Sequence, residues 1–390
     1  MLDVKSHFRR SIGLPNAPLH FAAHSHHPWP DVTLEAQEQA WLDAATLLDR
    51  KWGKVFGGVL PEAQQHIASR LSLPDPTSIA FGPNTHSFLL RILSCAPAIS
   101  GVNVISTDSE FHSFTRQMDR LVEADIVNLV RVPVEPFATF KSRFIAELKK
   151  RSDWDLVWLS QVFFNSGFVV AQDDLVDILN AIPDKETLAV IDGYHSFMAI
   201  PVDLSSIGGR AFFVAGGYKY AMAGEGACFL HCPAGYGLRP RDTGWYAEFG
   251  TLDLSRPDEV PFGLDGSRFA GATFDPSGIY RLNAVMRWMD DNNLTVDNMD
   301  EHCIALQKRF VERLDAVQGV LGSHHLLIRD LNSCGRFLTF ETGHAARIDD
   351  ELAQNKIIVD HRGDRLRIGF GIYQDFDDVE QLVRTLKAVV

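Results

Sequence analysis

Residues 187–230 read TLAVIDGYHSFMAIPVDLSSIGGRAFFVAGGYKYAMAGEGACFL. Within this stretch Leu188–Ile191 is a short, β-branched apolar run that breaks at Asp192-Gly193, the pattern of a fully buried strand ending in a carboxylate. A second strand-like run, Ala211–Val214, leads through Ala215-Gly-Gly217 into Tyr218-Lys219-Tyr220. A lysine set among aromatics, glycines and alanines loses hydration, which drives its amine toward the neutral form. The neutral amine is the nucleophile that a Schiff base requires.

Two strand ends of one sheet, one carrying an acid and the next a desolvated lysine, suit a pyridine cofactor lying between them. The acid would keep the ring nitrogen protonated and the lysine would bind the aldehyde. The same residues also read as a buried Lys–Asp ion pair, or as a lysine whose stem lies on apolar surface while its head reaches water. Spacing alone leaves both readings open.

Composition narrows the class. With 390 residues the chain exceeds one ordinary core, so a large and a smaller domain are expected. At 46% hydrophobic and 22% charged it has the balance of a soluble globular protein. A net charge of −13 argues against nucleic acid as a partner. Five scattered cysteines do not form a secreted disulfide framework, and a cytoplasmic location is expected. The first residues show neither an apolar signal core nor a span long enough for a membrane.

Residues 1–20 lack periodicity and read as an N-terminal arm. The next segment, Phe21-Ala-Ala-His24-Ser-His26-His27-Pro-Trp-Pro30, is too rich in histidine and proline for regular structure. No supporting Cys or His cluster follows it, so no metal is expected. From Asp31 a core-facing helix is predicted with Leu34, Trp41, Ala44 and Leu48 on its apolar face, and a second follows Pro61 through Ala63, Ile67 and Leu71.

A strand at Ser78–Phe81 then breaks at Gly82-Pro83 and enters a helix striped by Phe88, Leu89, Ile92 and Leu93. That start offers free backbone N–H groups and the positive dipole end to an anion, although Asn84 also reads as a plain N-cap. From Val102 to Ser160 strands and helices alternate, the mark of a mainly parallel sheet with ligands at the carboxyl ends of its strands. Beyond residue 275, helices around Ile279–Asp291 and Asp297–Val317 lead to strands at Arg336–Phe340, Lys356–Val359 and Arg365–Gly369.

Asp192-Gly-Tyr-His195, Pro201-Val-Asp-Leu204 and Gly217-Tyr218-Lys219-Tyr220 ahead of a Gly-rich return strand resemble the class V aminotransferase superfamily of pyridoxal-phosphate enzymes. Within it the Asp-x-x-His and Tyr-Lys-Tyr pattern is most similar to kynureninase. The resemblance implies fold type I: an α/β protein with a mainly parallel sheet flanked by helices, plus a smaller α+β C-terminal domain. The expected division is 1–20 arm, 21–275 large cofactor-binding domain, and 276–390 connecting helices and small domain.

It also implies roles. Lys219 would carry pyridoxal 5′-phosphate, Asp192 would hold the ring nitrogen, and Phe111 (or His112) and His195 would pack on or hydrogen-bond the ring. Thr85 matches the threonine of the phosphate-binding turn, where His86 supplies a backbone N–H; Tyr218 and the Gly244-Trp245 pair also serve the phosphate. Thr273 resembles, across intervening residues, a threonine lent by a neighbouring subunit, which makes a homodimer with a shared active site the expected assembly. Arg365-Leu-Arg367-Ile-Gly resembles the C-terminal signature whose arginine grips the substrate α-carboxylate. Alternation puts both arginines on one strand face, and the motif selects Arg367. His24 or His26 would touch the substrate.

One loop departs from the family. Gln161-Val-Phe-Phe164-Asn-Ser-Gly167 has Phe164 where relatives often place an asparagine, a change that favours the kynureninase branch. The expected activity is hydrolytic Cβ–Cγ cleavage of an α-amino acid, releasing alanine; a class V aminotransferase or a β-eliminating C–S lyase fits the same cofactor residues. A nicotinamide oxidoreductase is disfavoured, because no Gly-x-Gly-x-x-Gly turn follows the first strand.

Overall fold

The computed structural model describes residues 1–251, 259–315 and 321–389. Seven strands make the central sheet: β1 (Ile79–Gly82), β2 (Val102–Thr107), β3 (Val127–Val132), β4 (Leu156–Ser160), β5 (Leu188–Asp192), β6 (Phe212–Gly216) and β7 (Cys228–His231). Their order is β1-β7-β6-β5-β4-β2-β3, and β7 alone runs against its neighbours. The mainly parallel α/β sheet expected from the alternation is therefore present.

The inner strands β4, β5 and β6 are buried along their whole length because both faces are covered, whereas edge strand β3 exposes Asn128 and Arg131. Ile105, Val157, Leu159, Ile191 and Phe213 enter one core, while Val104, Leu156, Trp158, Val190 and Phe212 enter the other. That period of two is the pleat itself. Eight helices accompany the sheet: α1 (Val32–Leu47), α2 (Leu60–Arg70), α3 (Thr85–Leu93), α4 (His112–Glu123), α5 (Phe140–Leu148), α6 (Gln172–Asn180), α7 (Ser277–Asp291) and α8 (Val296–Asp315). The last two positions of the helix expected over Asp297–Val317 lie outside the described residues.

A third apolar core gathers Phe310 of α8 with β8 (Phe337–Glu341), α9 (Ala345–Gln354), β9 (Asp360–Arg362), β10 (Arg365–Gly369) and α10 (Phe376–Val389). Here β9-β10-β8 form an antiparallel sheet. Among the described residues no helix is long and apolar enough to cross a membrane.

The N-terminal arm packs onto the body: Val4 and Phe8 are buried in the larger core, and Lys5 Nζ bonds Asp378 at 2.7 Å and Asp375 at 2.9 Å. Leu19–His20 then pairs in parallel with Ile357–Ile358, and Phe21 enters the C-terminal core. A few anchors at irregular spacing fix this segment, which periodicity cannot register. Helix α1 forms as expected but turns the other way. It buries Thr33, Ala36 and Asp43, while Leu34, Trp41 and Leu48 are exposed. The reason is polar: Asp43 accepts from Tyr280 Oη at 2.8 Å and from Gln39 Nε2 at 2.8 Å, which satisfies a carboxylate on the inward side.

The topology puts the carboxyl ends of six strands on one edge, so Gly82, Thr107, Ser160, Asp192 and Gly216 face the same space. Phe8 closes the arm against this body, edge-on to Trp288 at 5.9 Å and 5.8 Å from Tyr373. Phe8→Ala is expected to destabilise the protein by about 3–5 kcal/mol, as truncation of a buried aromatic does. A urea unfolding curve that does not move would show that the arm contributes nothing to the core.

Candidate functional site

At that edge lies a cavity of about 640 Å³. Thr85 and His86 reach it from the start of α3, Phe111 from the rim of α4, Ser160 from β4, and Asp192 and His195 from the end of β5. Tyr218 and Lys219 come from the turn after β6, His24 from the N-terminal segment, and Arg362 and Arg367 from the small sheet. The turn after β6 is shaped by close packing. A β-carbon on Gly216 would stand 2.6 Å from Tyr194 Oη and 3.1 Å from Cys228 Cα.

Enclosure sets the protonation of the central pair. Burial, helped by the Arg367 charge, lowers the Lys219 amine to about 7 against the opposing pull of Asp360 and Asp192. Lys219 Nζ donates to the His24 carbonyl at 2.5 Å. Burial likewise raises Asp192 to about 6, opposed by the Tyr194 amide, which donates to its Oδ1 at 3.0 Å, and by the Lys219 charge.

His195 is buried and both of its ring nitrogens lack a hydrogen-bond partner. Burial, with Lys219 and His24 adding to it, holds the ring well below its ordinary pKa, so a neutral imidazole stands in the cavity wall. An orphaned polar pair of this kind is costly unless something is meant to meet it.

The end expected to meet the phosphate is the start of α3. Asn84 caps the helix, its Oδ1 accepting from the Ser87 amide at 3.0 Å, and this leaves the Thr85 and His86 end of the helix open to the cavity. Both the cap and the cradle read from the sequence are thus compatible.

Opposite, Arg367 is almost fully buried and held in a fork by Asp360: Nε to Oδ1 at 2.8 Å and Nη2 to Oδ2 at 2.5 Å, with Nη1 on the Phe164 carbonyl at 2.5 Å. His24 Nε2 meets the same Asp360 Oδ1 at 3.0 Å. Burial alone would raise Asp360, but His24 and Arg367 hold it well below the usual carboxylate range. Gly369 makes this approach possible, since a β-carbon there would lie 2.2 Å from His24 Nδ1. Arg365, on the same strand face, instead pairs with Glu135 at 2.6 Å and lies outside the cavity.

Several expected site residues lie elsewhere. His26 is exposed, packs edge-on to Tyr218 at 5.3 Å and lines a separate groove beside Trp29. Trp245, 44% exposed and tilted against Tyr246 with ring centroids 4.4 Å apart, and Thr273, also exposed, are outside the cavity of their own chain. Phe111 is 43% exposed at the mouth, edge-on to Phe164 at 5.3 Å, while His112 packs on Phe164 without lining the cavity. Among the described residues no three His, Cys, Asp or Glu side chains converge as a metal centre would need.

Sequence reasoning does not single out Ser160, Glu110, Tyr194, Arg362 or Asp360. The signal for Asp360 lies only in the pairing that sets it opposite Arg367.

An amine near neutrality, a buried acid, an unpartnered imidazole and an open helix N-terminus together fit pyridoxal 5′-phosphate. Lys219 would hold its aldehyde, Asp192 its ring nitrogen and the α3 end its phosphate.

Known proteins agree with this. No curated protein sequence matches the chain. Among solved structures, an apo cysteine desulfurase from Thermococcus onnurineus NA1 is similar at 17% identity and a TM-score of 0.81, covering 100% of this chain and 99% of that one. A C-DES mutant with glycine covalently linked to its PLP cofactor gives 17% and 0.83 over 100% of both chains. The cystine C–S lyase C-DES in complex with its product cysteine persulfide gives 17% and 0.80, covering 95% and 98%. The family model for class-V aminotransferases matches residues 49–382, and the chain belongs to that family.

Proposed function

We propose that this chain is a pyridoxal-phosphate-dependent lyase that eliminates a sulfur substituent from the β-carbon of a small α-amino acid. The observation that carries the reading is Lys219, a near-neutral amine set between Asp192 and Arg367 in a cavity to which no cysteine contributes. Relatives of the same fold include a cystine C–S lyase and cysteine desulfurases, which supports sulfur chemistry over Cβ–Cγ hydrolysis. Trp245, expected at the phosphate, stands outside the cavity of its own chain.

Storing sulfur on the protein would need a reactive thiolate. None of the five cysteines lines the cavity, and burial pushes Cys95, Cys228, Cys303 and Cys334 up to about 12 and Cys232 up as well. Elimination, in which sulfur leaves with the substrate's own electron pair, asks for no such thiolate.

Bound in the cavity, pyridoxal phosphate supplies an electron sink for the pair left at Cα when its proton is removed. The protein's residues do the rest. Lys219 Nζ, neutral over part of the population at pH 7, takes the α-proton. Arg367 uses three of the five donors of a guanidinium on Asp360 and Phe164, which leaves the paired N–H groups of its Nη1–Nη2 edge for the substrate carboxylate. Asp360 and His24 keep that edge aimed. Phe111, Phe164 and Val162 give the β-substituent an apolar wall. The exposed Thr273 is left to serve a neighbouring subunit's phosphate end in a homodimer.

Purified protein supplied with pyridoxal phosphate is expected to release pyruvate and ammonium from L-cystine or an S-alkyl cysteine, and to lose about 10²–10⁴-fold of that rate on Lys219→Ala. Alanine from kynurenine, or keto-acid exchange without ammonium, would replace the reading with hydrolysis or transamination.

A second expectation concerns the amine alone. In the cofactor-free protein Lys219 titrates near 7. Removing the neighbouring cation by Arg367→Gln raises that value, because the charged amine is no longer repelled and Asp360 is left to attract it. Acylation of the lysine followed across pH by mass spectrometry measures the shift, and a fall would contradict the electrostatics.

A further inference from the structure

Glu110, between β2 and α4, takes no part in the chemistry above. It is 3% exposed. Its Oε1 accepts from Thr107 Oγ1 at 2.7 Å and from the Ser160 amide at 3.2 Å, and its Oε2 lies 2.5 Å from Ser160 Oγ. Ser160 lines the cavity and stands opposite Asp192 in the β4–β5 ladder. Among the described residues its hydroxyl has no other partner.

The short Oε2–Oγ contact carries one hydrogen, and its direction depends on the acid. A carboxylate only accepts, so an ionised Glu110 draws the Ser160 hydrogen toward itself and leaves lone pairs facing the cavity. A protonated Glu110 donates instead, which frees the Ser160 hydrogen for the cavity.

We propose that Glu110 is a proton-holding positioning residue: as a neutral acid it makes the Ser160 hydroxyl a donor to the bound cofactor and keeps a second negative charge away from Asp192. Burial supports this by pushing Glu110 up to about 8, against the hydroxyls of Ser160 and Thr107 and with the Asp192 charge adding to the rise. Asp192 of β5 is the charged group that acts on it, while Thr107 of β2 and Ser160 of β4 face it with hydroxyls. The inference rests on the cofactor reading of the cavity.

Between the ordinary carboxyl range and about 8 the folded protein keeps a proton that the unfolded chain releases, so the stability due to Glu110 is lost as pH rises through about 8. Above that pH the cavity also gains a negative charge and loses a donor, and a net-anionic cofactor binds less tightly.

Glu110→Gln is the informative variant, since the amide reproduces the protonated acid: its oxygen accepts from Thr107 and the Ser160 amide, and its nitrogen donates to Ser160 Oγ. Pyridoxal phosphate affinity is measured by fluorescence quenching at pH 6.5 and 9.5, in a Lys219→Ala background that removes the titrating amine. With Glu110 present the dissociation constant is expected to rise about tenfold more across this interval than with Gln, as one pKa unit of coupling gives. Equal pH dependence in the two proteins overturns the proposal. Infrared spectra of the cofactor-free protein decide the protonation separately: a buried carboxylic-acid band should vanish with a midpoint near 8 and be missing in Glu110→Gln. Its absence from the parent protein overturns the proposal even if Glu110→Gln fails to fold. Lack of cofactor binding at both pH values, with that band present, would refute the cofactor reading and with it the role assigned to Ser160.

Discussion

Withdrawal of water from one amine and one carboxylate at the carboxyl edge of the sheet is the constraint on which the site depends. In water Lys219 would be charged and Asp192 ionised at neutral pH. Enclosure moves them toward each other, to about 7 and about 6. The movement needs walls. The sheet supplies the floor, but His24 from the N-terminal segment and Arg367 from the small sheet complete the enclosure. This is why the arm, three cores and three sheets bear on the protonation of a single nitrogen.

The same logic explains the carboxylate side of the pocket. A guanidinium buried as deeply as Arg367 would be unstable alone, and Asp360 compensates it while His24 supports the acid in turn. The pairing leaves one edge of the guanidinium unoccupied. A buried ion pair of this kind is better understood as a device that fixes direction than as a source of stability. Its geometry depends on Gly369, where any side chain would displace His24.

Family membership and the shared fold bring the chain to pyridoxal-phosphate chemistry, and the residues at the cavity narrow the range of reactions. Phe111 and Phe164 meet edge-on at its mouth, and none of the five cysteines lines it.

Much of the molecule is legible in residue order. Alternating apolar runs specify the parallel sheet, because strands covered on both faces need continuous hydrophobicity, and the motifs around Asp192 and Lys219 point to the cofactor where their spacing alone leaves a buried ion pair open. The phosphate end is visible in the Gly82–Asn84 break before a helix. Other features lie beyond a one-dimensional reading. Helix α1 turns a different face inward because Asp43 finds polar partners from α7 and from its own helix, which no spacing reveals. Arg365 and Arg367 alternate identically, and only packing sends one to Glu135 and the other to Asp360. The partners of Arg367, the closure by His24 and the contact of Glu110 with Ser160 join segments distant in the chain. By itself, the sequence determined the sheet and the strand ends that carry Asp192 and Lys219, which are local properties of burial and of chain breaks. Only the tertiary structure decided which side chains share the cavity, because burial, charge compensation and hydrogen-bond direction arise from neighbours that the fold alone brings together.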